Sequence, residues 1–499
     1  MTNQKPARVR LAPSPTGVPH IGTIRQAIFD WLLARSTGGQ FILRIEDTDQ
    51  NRLVPESLPA IYDSLRWLGL QWDEGPEVGG PHAPYFQSER LPLYQAAAKK
   101  LLDEGKAFEC YCTPERLDAM RAKQRELKQP PGYDGLCKTE EGRVQAKAVA
   151  GDRRPVVRLN TPDEGETIVP DFLRGEVSFE NARLDDAVLL KSDGFPTYHL
   201  AMPVDDHEME ITHVIRGEEW LPSAPLHKLI FDALGYEVPV LIHTPLILGP
   251  DRSKLSKRHG AQSALEYRDE GYLPDAVFNY LGLLGWSLDD HTEIISREDF
   301  VKHFTIDRLL KSPAVFNIEK LDWMNSEYMR QMPDREYAKL VIGWLEAPES
   351  EGGLPDHIDR PLDLEYTLSL IPLVKERIRR GPSATDMMAF FYMPRGIVPE
   401  VEAETLLGKA YKDERATAAR LLSEVLVLAE SLTDWEHVAM EESFRALCDQ
   451  LAVKGRDLFG LMRVAITGRT VSPPLFESME ILGKERCVIR LREAVQTLQ

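Results

Sequence analysis

Residues 9–39 read VRLAPSPTGVPHIGTIRQAIFDWLLARSTGG. The stretch opens on the short apolar run VRLA and passes through PSPTG, which is dense in turn residues. Ile24, Ala27, Ile28, Trp31 and Leu32 then fall at i, i+3, i+4, i+7 and i+8. That is the spacing of an amphipathic helix, and Gly38-Gly39 ends it. FILRIED (41–47) follows as a second strand, and Ile61, Leu65 and Leu68 mark a second helix. Strands alternating with helices imply a parallel sheet covered by helices on its faces.

Outward from this start, the pattern becomes irregular between about Leu91 and Asp193. Helical stretches (LPLYQAAAKKLLDEG, PERLDAMRAKQRELK) flank a cysteine-bearing segment, and the strand-like pieces RPVVRLN and EVSF follow. This is read as an insertion into the first domain. The α/β pattern resumes at AVLLKSDG, THVIRGEEW, the helix APLHKLIFDALG and the strand VLIHTPLIL, and a mixed segment runs to about Tyr328. Beyond it, ATAARLLSEVLVLAESL and ESFRALCDQLAVKG are helix-periodic and strand signals are scarce, so the last third is expected to be all-α. The expected divisions are 1–90 with 194–250, then 91–193, 251–328 and 329–499. No solenoid repeat interrupts them.

The length of 499 residues suggests three or four structural units and removes any need for a staple to fold. Hydrophobic residues at 43% and charged residues at 28% exclude a disordered or fibrous chain. No apolar run is long enough to span a membrane, and MTNQKPARVRLAPSPTG lacks the apolar core of a signal peptide. Five cysteines are too few for a secreted disulfide scaffold. A soluble, cytoplasmic protein is expected. The net charge of −19 speaks weakly against a nucleic-acid partner, because a local basic face can coexist with an acidic total.

No phosphate loop, no G-x-G-x-x-G fingerprint and no G-x-S-x-G elbow is present. DDHEMEITH (205–213) lacks the second histidine of a zinc-protease helix, since Ile211 stands there, which leaves His207 as a structural or solvent-facing residue. Two segments stand out. PSPTGVPHIGT (13–23) joins the first strand to the first helix, where open α/β sheets bind ligands. His20 there suits a phosphate, and Gly22 removes bulk where a flat base could pack; alone, the segment reads equally as an ordinary turn. KLSKR (254–258) follows the turn GPDRS, and Arg252, Lys254, Lys257 and Arg258 suit a loop closing over polyphosphate. Alone, it reads more simply as a solvated basic loop.

Taken together, PHIGT and KLSKR resemble the HIGH and KMSKS signatures of class I aminoacyl-tRNA synthetases. RLAPSPTG, FILRIEDTD, PYFQSERL, LLKSDGFPTYHLA, DDH, VIRGEEW, GYLPDAVFNYLGLLGW, LFGLMRVAITG and LFESMEILGKERCVIRL are similar, over essentially the whole chain, to the bacterial glutamyl-tRNA synthetases. The resemblance implies a Rossmann-like class I catalytic domain split by an acceptor-stem-binding α+β insertion. A KMSKS loop with a stem-contact region and an all-α anticodon-binding domain would follow. It further implies ATP with Mg²⁺, L-glutamate and tRNA(Glu) as partners, a monomer, and a need for bound tRNA even in the activation step.

By this likeness His20, Gly22 and Thr23 would contact ATP, and Lys254 and Lys257 would stabilise charge developing on the phosphate. Thr23 replaces the second histidine of HIGH; small residues are usual there in glutamyl enzymes. The glutamate pocket would comprise Arg10, Ala12, Ser14, Glu46, Tyr198 and Arg216. Glu46 would take the ammonium and the two arginines the carboxylates, the pairing that most strongly demands that shape. Met202 stands where some relatives carry a polar pocket residue.

Cys110, Cys112 and Cys137 match three ligands of a zinc site found in the insertion of many relatives. The usual fourth, a histidine, is here Thr139, so Asp134, a more distant group or no metal at all remain the alternatives. Within LVKERIRR (373–380), expected to be helical, Arg377 resembles an anticodon-reading position; a solvated helix face is the competing reading. A glutaminyl enzyme shares the catalytic plan, but the all-α last third opposes its β-barrel anticodon domains. A truncated glutamylating enzyme would lack that third. A catalytically silent tRNA-binding paralogue would not need His20, Gly22, Glu46, Lys254 and Lys257. A simple nucleotidyltransferase would have no use for the insertion. Whether tRNA(Gln) is also charged is left open by the sequence.

Overall fold

In the computed structural model, residues 5–256, 262–394, 399 and 401–499 are described. The strands Arg8–Leu11 and Gln40–Leu43 pair in parallel, from Arg8 opposite Gln40 to Leu11 opposite Leu43. The helix Ile21–Thr37 makes the crossover between them. Both strands are almost continuously buried, as expected of a parallel sheet covered on both faces. The helix ends because Gly38 adopts the left-handed φ of 69° that an L side chain disfavours. Gly39 then lies so close to the Ala7 backbone that no Cβ would fit.

A four-stranded sheet continues the layer. Its order is Gly175–Glu180, Glu166–Asp171, Val240–Thr244, His213–Gly217. The last two strands are parallel, and Thr212 N donates to Arg8 O at 2.9 Å, joining this sheet to the first pair. The hairpin of the first two strands comes from the inserted stretch. It reaches the parallel sheet where Asp171 pairs with Leu241. The rest of the insertion forms an antiparallel sheet of Ala107–Cys110, Val156–Leu159 and Val188–Leu190, with helices Leu91–Asp103, Pro114–Glu126 and Glu140–Ala150 around it.

The chain divides into two compact units, Met1–Tyr267 with Pro274–Ile318, and Arg268–Leu273 with Glu319–Gln499. Among its described residues the second unit contains helices and no strand. Helix Arg415–Ser431 shows why: Ala418, Leu421, Leu422, Val425 and Ala429 form one buried stripe. That stripe belongs to a core shared with Leu491, Ala494 and Val495 of helix Lys484–Leu498. The expected mixed α/β start and all-α finish are therefore both present. No helix among the described residues is long and apolar enough to cross a membrane.

Candidate active site

Parallel strands present their carboxyl ends on one edge, and the predicted residues gather there. Arg10 lies in the first strand, Glu46 just beyond the second, and Arg216 near the end of His213–Gly217. The loop carrying Ala12 and Ser14 is held against the second strand's exit, because Arg44 N donates to Leu11 O and Glu46 N to Pro13 O, both at 3.0 Å. Tyr198 opens helix Tyr198–Glu208.

Asp206, on the same helix, ties these parts together. Its Oδ1 accepts from Arg10 Nε at 3.0 Å and from Arg44 Nη1 at 2.7 Å, and all three side chains are buried. Although burial opposes ionisation, the two guanidinium groups hold the Asp206 carboxyl below its ordinary range. Arg44 Nη2 also donates to Glu46 Oε1 at 3.3 Å. Burial pushes the Glu46 carboxyl upward, with Arg44 and Arg10 opposing the push. A carboxylate in that position gains from an added cation such as an ammonium. Asp205, one residue earlier, accepts from Arg90 Nε at 2.7 Å, Gln87 Nε2 at 2.8 Å and Tyr94 OH. These bonds fix helix Tyr198–Glu208 to the segment 87–94.

Arg216 is 2% exposed. Its Nη1 donates to Tyr198 OH at 3.1 Å, its Nε donates to His243 Nε2 at 2.9 Å, and its Nη2 has no hydrogen-bond partner among the described residues. A buried donor without an acceptor is a rare and costly feature, and a carboxylate ligand would relieve it. Met202, a turn after Tyr198, is fully buried in the helix.

At the first helix, His20 is the N-cap: its Nδ1 accepts the Gly22 N–H at 3.0 Å. This acceptor role puts the imidazole proton on Nε2, where it can be donated to an anion. A Cβ on Gly22 would lie 2.8 Å from the His20 ring, so the glycine leaves room for that cap. Thr23 N bonds to His20 O at 2.9 Å in the same turn. Desolvation lowers the His20 pKa below its ordinary value, Glu219 opposes this and Lys254 adds to it. Ser263 pairs with His20 in an isolated antiparallel bridge. Lys254, by its charge, and Ser263, by this bridge, are therefore both near His20, while Lys257 itself lies outside the described residues.

Elsewhere the Sγ atoms of Cys110, Cys112 and Cys137 lie within 4.8 Å of one another. Cys112 and Cys137 are 3.7 Å apart, close to the ~3.8 Å that two thiolates span across one tetrahedral zinc with Zn–S of about 2.3 Å. Tyr133 OH is 3.5 Å from both Cys110 Sγ and Cys112 Sγ. Tyr133, which the motif did not single out, thus places its hydroxyl beside two of the three sulfurs. Asp134 is engaged with Arg116 at 2.5 Å, and Thr139 caps helix Glu140–Ala150 through Gly142 N. Hydrogen bonding from Cys112, joined by Tyr133 and opposed by burial, holds the Cys110 thiol below its ordinary value, while the neighbouring Cys112 thiol is pushed up.

In the helical unit, the expected helix over LVKERIRR ends at Val374, and Arg377 sits exposed in the turn beyond it. The backbone explains the stop: Arg377 N returns to Val374 O at 2.8 Å. The motifs do not single out Arg44, Asp205, Asp206, His243 and Tyr133 as site residues. DDH and FILRIED pointed to several of them, but their pairing becomes visible only when distant strands meet.

Residues 6–323 match the family described as tRNA synthetases class I (E and Q), catalytic domain, and residues 336–495 match an anticodon binding domain. A glutamate–tRNA ligase of Dehalococcoides mccartyi is 47% identical over 498 residues, covering 100% of this chain and 99% of its own. One from Acidothermus cellulolyticus is 46% identical, covering 98% of this chain and 95% of its own. The crystal structure of a glutamate tRNA ligase from Elizabethkingia meningosepticum, in complex with its amino acid, superposes with a TM-score of 0.83 at 34% identity, covering 99% of this chain and 100% of that one. Fold and site together are those of an enzyme that activates a carboxylate at a nucleotide phosphate. The chain belongs to the class I tRNA synthetases of the E and Q type.

Proposed function

We propose that this chain activates L-glutamate with ATP and transfers it to tRNA(Glu), the reaction of a glutamate–tRNA ligase. The observation that carries the amino-acid assignment is the buried Arg216 nitrogen without a partner, in a site that also holds Arg10 and Glu46. The full-length likeness to glutamate–tRNA ligases supports it.

In the first step a carboxylate oxygen of glutamate bonds to the α-phosphorus of ATP and the bond to the β-phosphate breaks, releasing pyrophosphate. In the second, a hydroxyl of the terminal adenosine attacks the activated carbonyl, forming the ester and releasing AMP. Arg216, with Tyr198, takes the side-chain carboxylate of the amino acid, Arg10 the other carboxylate, and Glu46 the ammonium; Ala12 and Ser14 line the approach. His20 Nε2 donates to the phosphates, the small Gly22 and Thr23 leave room for the nucleotide, and Lys254 and Lys257 stabilise the charge that builds there. ATP is used with Mg²⁺.

The reading includes a cytoplasmic monomer and the four divisions at 1–90 with 194–250, 91–193, 251–328 and 329–499, the last carrying Arg377 toward the anticodon. It also includes a structural zinc held by Cys110, Cys112, Cys137 and Tyr133, which would fix the fold of the insertion. Metal analysis of the purified protein should return about one zinc per chain, and Cys137→Ser should lose it; three freely titrating thiols and no zinc would refute the site. The activity is tested by pyrophosphate exchange with tRNA present. Exchange should require L-glutamate, and exchange supported equally by glutamine would overturn the substrate assignment.

A further inference from the structure

The Arg216 guanidinium is buried without a carboxylate in ion-pair range among the described residues; its neighbours are imidazoles and a phenol. Besides the bonds already given, Nη1 faces His227 Nδ1 at 3.3 Å. His227 and His243 are 1% and 0% exposed. A guanidinium can only donate, so each ring nitrogen that faces it must offer a lone pair. His243 therefore carries its proton on Nδ1, and that proton is directed to Asp171 Oδ2 at 2.7 Å. The His243 backbone N–H reaches the same oxygen at 3.0 Å. Asp171 Oδ1 is taken by the N–H groups of Leu173 and Arg174 at 3.0 and 2.9 Å. On the other side His227 is left with its proton on Nε2, facing His199 Nδ1 at 3.2 Å.

The order of these groups has a consequence. A carboxylate placed directly on Arg216 would cancel its charge and satisfy the pocket in advance. An imidazole fixes the guanidinium equally well while leaving the charge intact, and Asp171 sits one ring further away, where it fixes the tautomer of His243. Burial lowers the proton affinity of His227 and His243, and Arg216 pushes the same way. Asp171 opposes this at His243.

We propose that His243, held by Asp171, and His227, backed by His199, are positioning residues that keep Arg216 aligned and uncancelled, so that the pocket admits an anionic side chain and rejects its neutral amide. This rests on the glutamate reading above and deepens it. A buried cation compensated only by the substrate's carboxylate stays uncompensated when an amide enters, and sites left with unpaired buried polar groups discriminate strongly.

The test is pyrophosphate exchange, with tRNA present, on wild type, His243→Leu, His243→Gln and Asp171→Asn. His243→Leu removes the acceptor and should raise KM for glutamate about 30-fold or more, with KM for ATP and kcat within about twofold, and should narrow the preference for glutamate over glutamine. Gln can still accept from Arg216, so His243→Gln should recover most of the loss. Asp171→Asn should raise KM for glutamate about tenfold through the freed tautomer. Unchanged glutamate KM in Asp171→Asn, together with either an unchanged or an unfolded His243→Leu, would overturn the proposal. So would parallel rises in the KM values for glutamate and ATP. Failure of the wild type to use glutamate at all would instead refute the substrate assignment on which the proposal rests.

Discussion

Glu46 and His20 are the two side chains whose protonation matters most to the proposed chemistry. The Glu46 carboxylate already shares Arg44 and Arg10 with Asp206, and burial still drives its pKa upward. Glu46→Gln should therefore raise KM for glutamate at least tenfold while leaving KM for ATP near wild type, because the ammonium loses the charge of the carboxylate proposed to hold it. His20 must be neutral for Nδ1 to accept from Gly22. Its folded pKa lies below the ordinary 6.5, so the neutral form persists to lower pH than in a free histidine. The acid limb contributed by His20 to kcat/KM for ATP should accordingly fall below pH 6.5; a limb at or above 6.5 that vanishes in His20→Asn would contradict this. At this scale the motifs named most of the residues that would touch ligand. They did not name their supports, because the Asp206 link to Arg10 and the Asp171 link to His243 span 196 and 72 residues of chain.

Helix Ile21–Thr37 was legible from its apolar spacing, yet its stripe hides an anomaly. Asp30 is fully buried in it, and its carboxylate oxygens are at most weakly hydrogen-bonded, by the Gln26 side chain. Burial raises its pKa well above 3.8, with Arg10 opposing. A raised folded pKa means that the folded state holds the proton after the unfolded state has released it. The contribution of Asp30 to stability is then full below about pH 3.8 and is lost as pH rises toward the folded value. Asp30→Asn should raise Tm by a few degrees at pH 8 and by less at pH 4, as thermal unfolding at the two values would show; a lower Tm at pH 8 would mean that the ionised carboxylate is supported. The hairpin of Glu166–Asp171 and Gly175–Glu180 was only half legible. EVSF carried a strand signal, whereas ETIVPD contains Pro170, which demotes a run to an edge or a non-strand. Its docking at Leu241 depends on a tertiary contact that no local pattern encodes.

Across the whole molecule the charge of −19 says little about the partner, since a local basic face can coexist with an acidic total. The change from α/β to all-α was readable because helical periodicity survives without knowledge of packing, and both units carry it. The central claim is that these parts form one glutamate–tRNA ligase. Its most direct test is the charging of labelled glutamate onto purified tRNA(Glu), with tRNA(Gln) in parallel and Lys257→Ala as the control. ATP-dependent charging of tRNA(Glu) is expected, falling about 10²–10³-fold in Lys257→Ala, as when one charge-stabilising donor is lost. Charging of tRNA(Gln) as well would leave the reaction intact and show a broader tRNA specificity. No charging of tRNA(Glu) by the wild type, at a level indistinguishable from Lys257→Ala, would contradict it.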